Sequence, residues 1–318
     1  MSFLTPFGAL VGVVGALGVL ALLATLRRSR EVDGALGLAQ PRRRDAAVDV
    51  ALILAVSGLV ALACAQPVVS SSTRLEGRDG VEVYVVMDIT RSMLAQRAPS
   101  ELNRLQRAQS LAKEVRAQIP DVRVGVVSLT DRVLPHLFPT LSANAFVAVV
   151  DRAIGIERPP PDRRTRRATS LNALGDLGRA AYFDSLSTRR LAVVLTDGET
   201  LPVDFATLRT RLVDARVATV FVHVWRPDER VVTPDGRPDP AYRPDPTALR
   251  SLRRVAGAVD GAIFVEEQRG EVADTVRRFV GDGPVGEQGR ELHPVELAPS
   301  IAAVTVLPLL LLLRRRTL

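Results

Sequence analysis

With 318 residues, 47% of them apolar, the chain has room for one good-sized domain plus membrane segments, and two large domains are excluded. The formal charge of +7 does not read as a nucleic-acid stripe, because most of the excess belongs to Arg clusters that flank apolar segments. Cys64 is the only cysteine, which excludes an intramolecular disulfide.

The apolar residues concentrate in three runs, Phe3 to Leu26, Ala46 to Ala65 and Leu297 to Leu313. As helices the first two reach about 36 Å and about 30 Å, enough for a hydrocarbon core of roughly 30 Å. The third reaches about 26 Å and contains Pro299 and Pro308, which predicts a start nearer Val295 or a kink. A cleaved signal peptide is disfavoured: Met1 to Pro6 carries no Lys or Arg, while Arg27, Arg28 and Arg30 follow the first run. By the positive-inside tendency, the loop with Arg27, Arg28, Arg30, Arg42, Arg43 and Arg44 and the tail with Arg314, Arg315 and Arg316 face the cytoplasm. The expected organisation is a membrane helix over 1–26, a cytoplasmic loop over 27–45, a second membrane helix over 46–65 and a linker over 66–80. An extracytoplasmic domain over 81–281 follows, then a linker over 282–294, a third membrane helix over 295–313 and a cytoplasmic tail over 314–318. The protein is thus expected to be a multi-pass protein of the cytoplasmic membrane.

Within the domain, short β-branched runs alternate with longer helical periods, which predicts an α/β class with a doubly wound, mostly parallel sheet. Strands are predicted at Val81 to Met87, Val122 to Leu129, Val133 to Phe138, Leu191 to Leu195, Val217 to Trp225 and Ala262 to Val265. Helices are predicted at Leu102 to Ile119, Ala143 to Ile154, Leu171 to Phe183, Phe205 to Asp214, Pro246 to Ala256 and Glu271 to Val280. Two stretches are irregular: a basic loop from Arg158 to Ala168 with Arg163, Arg164, Arg166 and Arg167, and a Pro- and Asp-rich loop from Arg226 to Asp245.

The strand ending at Met87 leads into Asp88-Ile89-Thr90-Arg91-Ser92, and the strand ending at Leu195 leads into Thr196-Asp197-Gly198. Carboxyl ends of strands are where open α/β sheets hold ligands. With Thr169 ahead of a helix, three loops bring two carboxylates and three hydroxyls toward one sheet edge. Oxygen donors without thiolate or imidazole suit a hard cation, Mg²⁺ or Mn²⁺ rather than zinc, with Ca²⁺ also admitted.

These motifs resemble the von Willebrand factor type A family over roughly Val81 to Val280. The family pattern of Asp-x-Ser-x-Ser with a distant Thr and a distant Asp is called the metal-ion-dependent adhesion site. Carried over, it implies Asp88, Thr90, Ser92, Thr169 and Asp197 as ligands, with Thr90 in place of the commoner Ser and Ala168 where a Gly is frequent. The helix arrangement and Leu62-Ala63-Cys64-Ala65-Gln66-Pro67 are similar to the BatA or aerotolerance class of such proteins. That resemblance implies a metal-dependent protein interaction, with a partner supplying an acidic residue to the metal. It further implies MoxR-type ATPases and other membrane proteins of the family as associates, in envelope assembly, protein maturation or stress tolerance.

Two other readings stay open. A metal-dependent hydrolase would use Glu199 as base beside Asp197, although no Ser-His-Asp set or Walker-type loop occurs. A structural scaffold would carry a vestigial site. The topology is directly testable: protease added to intact spheroplasts should digest the domain and spare the 27–45 loop, and the reverse pattern inverts the assignment.

Overall fold

The computed structural model describes residues 2–35, 43–161, 169–179, 182–233 and 235–317. Arg163, Arg164, Arg166, Arg167 and Ala168 of the basic loop, and Arg42, lie outside the described residues. The chain divides into two compact units, one of residues Met1–Thr73 with Arg290–Leu318, the other of Arg74–Gly289.

In the first unit a short strand β1 (Ser2–Phe3) precedes a 3-10 turn at Pro6–Leu10 and helices α1 (Val11–Ala35) and α2 (Arg43–Cys64). Windows at Pro6–Thr25, Ala47–Cys64 and Ala298–Arg315 are long and apolar enough to cross a membrane, the last being the least apolar at a mean hydropathy of 1.5 against 2.5 and 2.4. α1 and α2 approach through small residues: a Cβ on Gly15 would lie 2.2 Å from the Ser57 hydroxyl, and one on Gly12 would lie 3.0 Å from Ala61.

The segments expected as linkers are instead strands, β2 (Pro67–Arg78) and, near the end of the chain, β9 (Val285–Glu296), in a sheet ordered β1-β2-β9. Their mixed polar composition shows no apolar alternation, and pairing partners two hundred residues apart leave no local signature.

The second unit is built on six strands: β3 (Val81–Asp88), β4 (Arg123–Leu129), β5 (Val133–Thr140), β6 (Arg189–Thr196), β7 (Val217–His223) and β8 (Ala262–Val265). Their order is β5-β4-β3-β6-β7-β8, parallel throughout except for the antiparallel β4–β5 hairpin at one edge. Every residue of β3 is buried, which is why Val83 to Met87 form a continuous apolar run rather than an alternation. Val83, Val85 and Met87 face a layer formed by α3 (Arg104–Gln118), α4 (Ala143–Arg152) and α7 (Arg269–Val280). Tyr84 and Val86 face the opposite layer, formed by α5 (Phe205–Asp214), α6 (Ala248–Ala258) and a 3-10 helix at Leu171–Gly178. The doubly wound α/β class expected from periodicity is the class observed.

Three differences have local causes. The helix expected over Leu171 to Phe183 is a 3-10 segment ending at Gly178. Gly175 and Gly178 weaken an α-helix and let this segment press on α5, where a Cβ on Gly178 would lie 2.6 Å from the Arg211 carbonyl. The strand expected to reach Trp225 ends at His223, and the loop after it makes isolated bridges, Arg230 with Gln96 and Val232 with Pro238. α3 starts at Arg104 because Asn103 and Gln106 form a capping box. α8 (Ala298–Thr317) closes the chain, with Pro308 inside it.

Candidate metal centre

Because β3 and β6 are parallel neighbours in register Met87↔Leu195, their carboxyl ends deliver Asp88 and Thr196-Asp197 to the same sheet edge. Asp88 is wholly buried. Its Oδ1 accepts from the Thr90 backbone N–H at 3.0 Å and from the Thr90 hydroxyl at 2.6 Å. Its Oδ2 accepts from the hydroxyls of Thr169 at 3.0 Å and Thr196 at 2.6 Å. The Thr90 Oγ1 lies 2.9 Å from the Thr169 Oγ1 and 3.1 Å from the Ser92 Oγ. Asp88, Thr90, Ser92 and Thr169 are therefore one hydrogen-bonded cluster drawn from two loops. The loop at Thr169 is also tied to its other neighbours, since Ser170 donates to the Thr130 carbonyl and Leu201 to the Thr169 carbonyl.

Asp197 sits beside this cluster and is not bonded to it. It too is wholly buried. Its Oδ1 accepts from the Glu199 backbone N–H at 3.0 Å, and its Oδ2 accepts from Arg104 Nη1 at 2.9 Å. Gly198 turns the chain between them at φ +74, a conformation that L side chains rarely adopt, and donates to the Thr196 hydroxyl at 3.0 Å.

Arg104, fully buried at the start of α3, is the residue that sequence reading missed. Besides Asp197 it meets Glu199 at 3.1 Å, Glu229 at 2.7 Å and the Tyr242 hydroxyl at 2.9 Å. Arg107, one turn on, meets Glu229 at 2.6 Å and Glu266 at 2.7 Å. Arg104 occupies the same buried stripe of α3 as Ala108, Leu111 and Val115, and a charged residue on an apolar stripe is the signal that was present in the sequence. Thr196 was also missed, though a hydroxyl directly before a strand-end Asp-Gly is a local signal of the same kind.

The electrostatics follow from this pairing. Burial alone would pull the Arg104 guanidinium down, but Asp197 and the other acids around it hold it firmly charged. Burial and the charge of Asp197 raise the Glu199 carboxyl, opposed by Arg104 and Tyr242. Asp88 is pushed up to about 7, chiefly by burial and next by Asp197, against the hydrogen bonds from Thr196 and Thr90. Three buried carboxylates, Asp197, Glu229 and Glu266, share the two buried guanidinium groups of Arg104 and Arg107, with Arg226 reaching Glu266 from the rim. Among the described residues Asp88 has hydroxyl and amide partners but no cationic one.

Beside the cluster opens a cleft of about 330 Å³ whose walls include Ser92, Thr169, Glu199, Tyr242 and Asp245. Arg91 at its rim is paired with Asp239. Among the described residues no group of three or more His, Cys, Asp or Glu forms a metal cluster. The donor set that is present consists of one carboxylate without a cationic partner and three hydroxyl oxygens, of which those of Ser92 and Thr169 belong to the cleft wall and Asp88 and Thr90 lie buried behind them. Such a set fits a hard divalent cation and lacks the ligands that zinc prefers.

No family model and no curated protein matches the sequence. Among solved structures, the chain is similar to an aerotolerance-related membrane protein from Bacteroides fragilis bearing multiple mutations to serine. The identity is 18% over 63% of this chain and 98% of that one, with a TM-score of 0.52. It is equally similar to BatB from Bacteroides thetaiotaomicron, at 16% identity over 63% and 99% of the two chains and a TM-score of 0.52. At these identities the likeness is one of fold: the mostly parallel α/β sheet covered by helices.

The raised Asp88 predicts an inverted pH dependence. An unfolded Asp titrates near ~3.9, so between there and about 7 the metal-free folded state holds a proton that the unfolded chain releases. The stability contributed by this group is therefore present at low pH and lost as pH rises through that window. In chelator, the melting temperature of wild type relative to Asp88→Asn should fall from pH 4 to pH 7; a constant difference would contradict the assignment.

Proposed function

We propose that the chain is a membrane-anchored interaction protein whose α/β domain holds a divalent cation at Asp88, Thr90, Ser92 and Thr169, with Asp197 behind them, and uses it to capture an acidic group of a protein partner. The observation that carries this reading is Asp88: a buried carboxylate supplied with hydroxyls, left without a cationic partner among the described residues, and bonded to Thr169, which lines a cleft. Unpaired buried carboxylates are costly, and the arrangement is consistent with a charge brought from outside. Mg²⁺ is the preferred ion, with Mn²⁺ or Ca²⁺ as alternatives.

The protein's own residues divide the work. Asp88 supplies the fixed negative charge. Thr90 and Thr169 donate their protons to it, which leaves their oxygen lone pairs to face a cation, while Ser92 and Thr169 border the cleft. Arg104 neutralises Asp197, so the inner carboxylate adds only part of its charge to the site. A bound cation would supply the charge that Asp88 lacks together with a coordination position for a partner carboxylate.

The hydrolase reading is weaker, because the one acid placed to serve as base, Glu199, is held by Arg104 at 3.1 Å and by the Tyr242 hydroxyl at 2.8 Å. In the membrane reading, the domain is extracytoplasmic and the Arg-bearing loop and tail are cytoplasmic. The partners proposed are other membrane proteins of this fold and a MoxR-type ATPase, the latter supplied by a separate chain because this one has no Gly-x-x-x-x-Gly-Lys-Ser/Thr sequence. Envelope assembly, protein maturation or stress tolerance is the setting proposed.

The test is co-purification of full-length protein with its membrane partners. Chelator should reduce capture roughly tenfold or more, a loss of at least about 1.4 kcal/mol, and Mg²⁺ should restore it. Asp88→Ala and Thr169→Val should resemble chelated wild type. Equal capture in all four conditions contradicts a metal-dependent interface.

A further inference from the structure

A second cleft, of about 530 Å³, lies at the carboxyl ends of β7 and β8 on the same edge of the sheet. His223, Trp225 and Leu249 line it, with Pro227 and Pro246 also at its walls. Asp245 borders this cleft and the metal cleft alike, so the two are neighbours.

Two ring nitrogens at this place have no partner. His223 is 4% exposed, and its Nε2 and the Nε1 of Trp225 are both buried with no hydrogen-bond partner in the structure. Buried polar atoms in folded proteins are nearly always satisfied, so an orphaned pair requires an explanation. The two rings lie nearly parallel, 19° apart with centroids separated by 6.0 Å. On its other side the imidazole faces the backbone of Asp197, which favours the tautomer with the proton on Nδ1. Its Nε2 is then an acceptor, whereas the indole nitrogen is only ever a donor. One donor beside one acceptor is the complement of an amide, whose carbonyl would take the indole N–H while its own N–H is given to the imidazole. The indole also packs against Arg104 at 5.8 Å, the residue that holds Asp197.

We infer that this cleft is a peptide-amide subsite, taking the main chain of the same partner whose acidic group enters the metal cleft on the other side of Asp245. The shared partner rests on the metal-dependent reading above; the amide preference does not. Leu249, Pro227 and Pro246 suit the aliphatic surface of an extended segment, and Asp245 marks the path between the two clefts.

The chain has one tryptophan, so Trp225 emission reports on the cleft directly. Full-length protein in detergent is titrated with blocked tetraglycine amide and with the same peptide preceded by aspartate, each with Mg²⁺ and with chelator. Both peptides should shift the emission saturably, with the acidic one binding roughly tenfold tighter in Mg²⁺ only. His223→Phe, which keeps a ring but removes the acceptor, should abolish the shift. Leu249→Phe, which fills the cleft and leaves His223 alone, should do the same, and melting scans establish that both variants are folded. Emission that responds to neither peptide, or responds equally in wild type and both variants, overturns the subsite. A saturable tetraglycine response with no Mg²⁺-dependent gain from the aspartate overturns the shared partner and the metal reading, and supports the subsite.

Discussion

The ion pair between Arg104 and Asp197 organises this edge of the domain. A guanidinium taken fully out of water is stable only if surrounded by acceptors, and Arg104 collects three carboxylates and a phenol from two separate loops. Glu229 and Tyr242 both belong to the long loop between β7 and α6, so Arg104 fixes that loop in place as one wall of the cleft. By the same contacts it neutralises Asp197. What remains uncompensated is Asp88, one strand away, and the asymmetry between the two acids gives the site its chemistry.

The parallel sheet makes this asymmetry possible. β3 and β6 run side by side with their carboxyl ends level, so two acids separated by more than a hundred residues are buried together. Both would repel if both were charged and unpaired. The fold separates them by assigning the cation of α3 to one and hydroxyls to the other. Hydroxyls satisfy the Asp88 lone pairs without neutralising its charge. That keeps the position available to an exchangeable ion, which a second arginine would not.

Much of this was legible in the sequence. Val83 to Met87 of β3 and Leu191 to Leu195 of β6 are buried on both faces and therefore read as plain apolar runs, and Asp88, Thr90 and Ser92 stand at the end of the first of them. Thr169 was legible through its place ahead of a helix-like segment. The cationic partner of Asp197 was not, because Arg104 lies 93 residues away and meets it only through tertiary structure. β2 and β9 escaped for the same reason, since their polar sequences carry no alternation and their pairing is long-range. The shortening of the segment at Leu171 was written in Gly175 and Gly178, whose role depends on the approach of α5.

The central claim is that the charge of Asp88 is balanced by a divalent cation. Titration of full-length protein with Mn²⁺, followed by the loss of the free-ion electron paramagnetic resonance signal, tests it most directly. Wild type should take up one ion per chain in competition with Mg²⁺, Arg104 being left in place, and the neutral isostere Asp88→Asn should take up none. Equal uptake by wild type and Asp88→Asn would contradict the account.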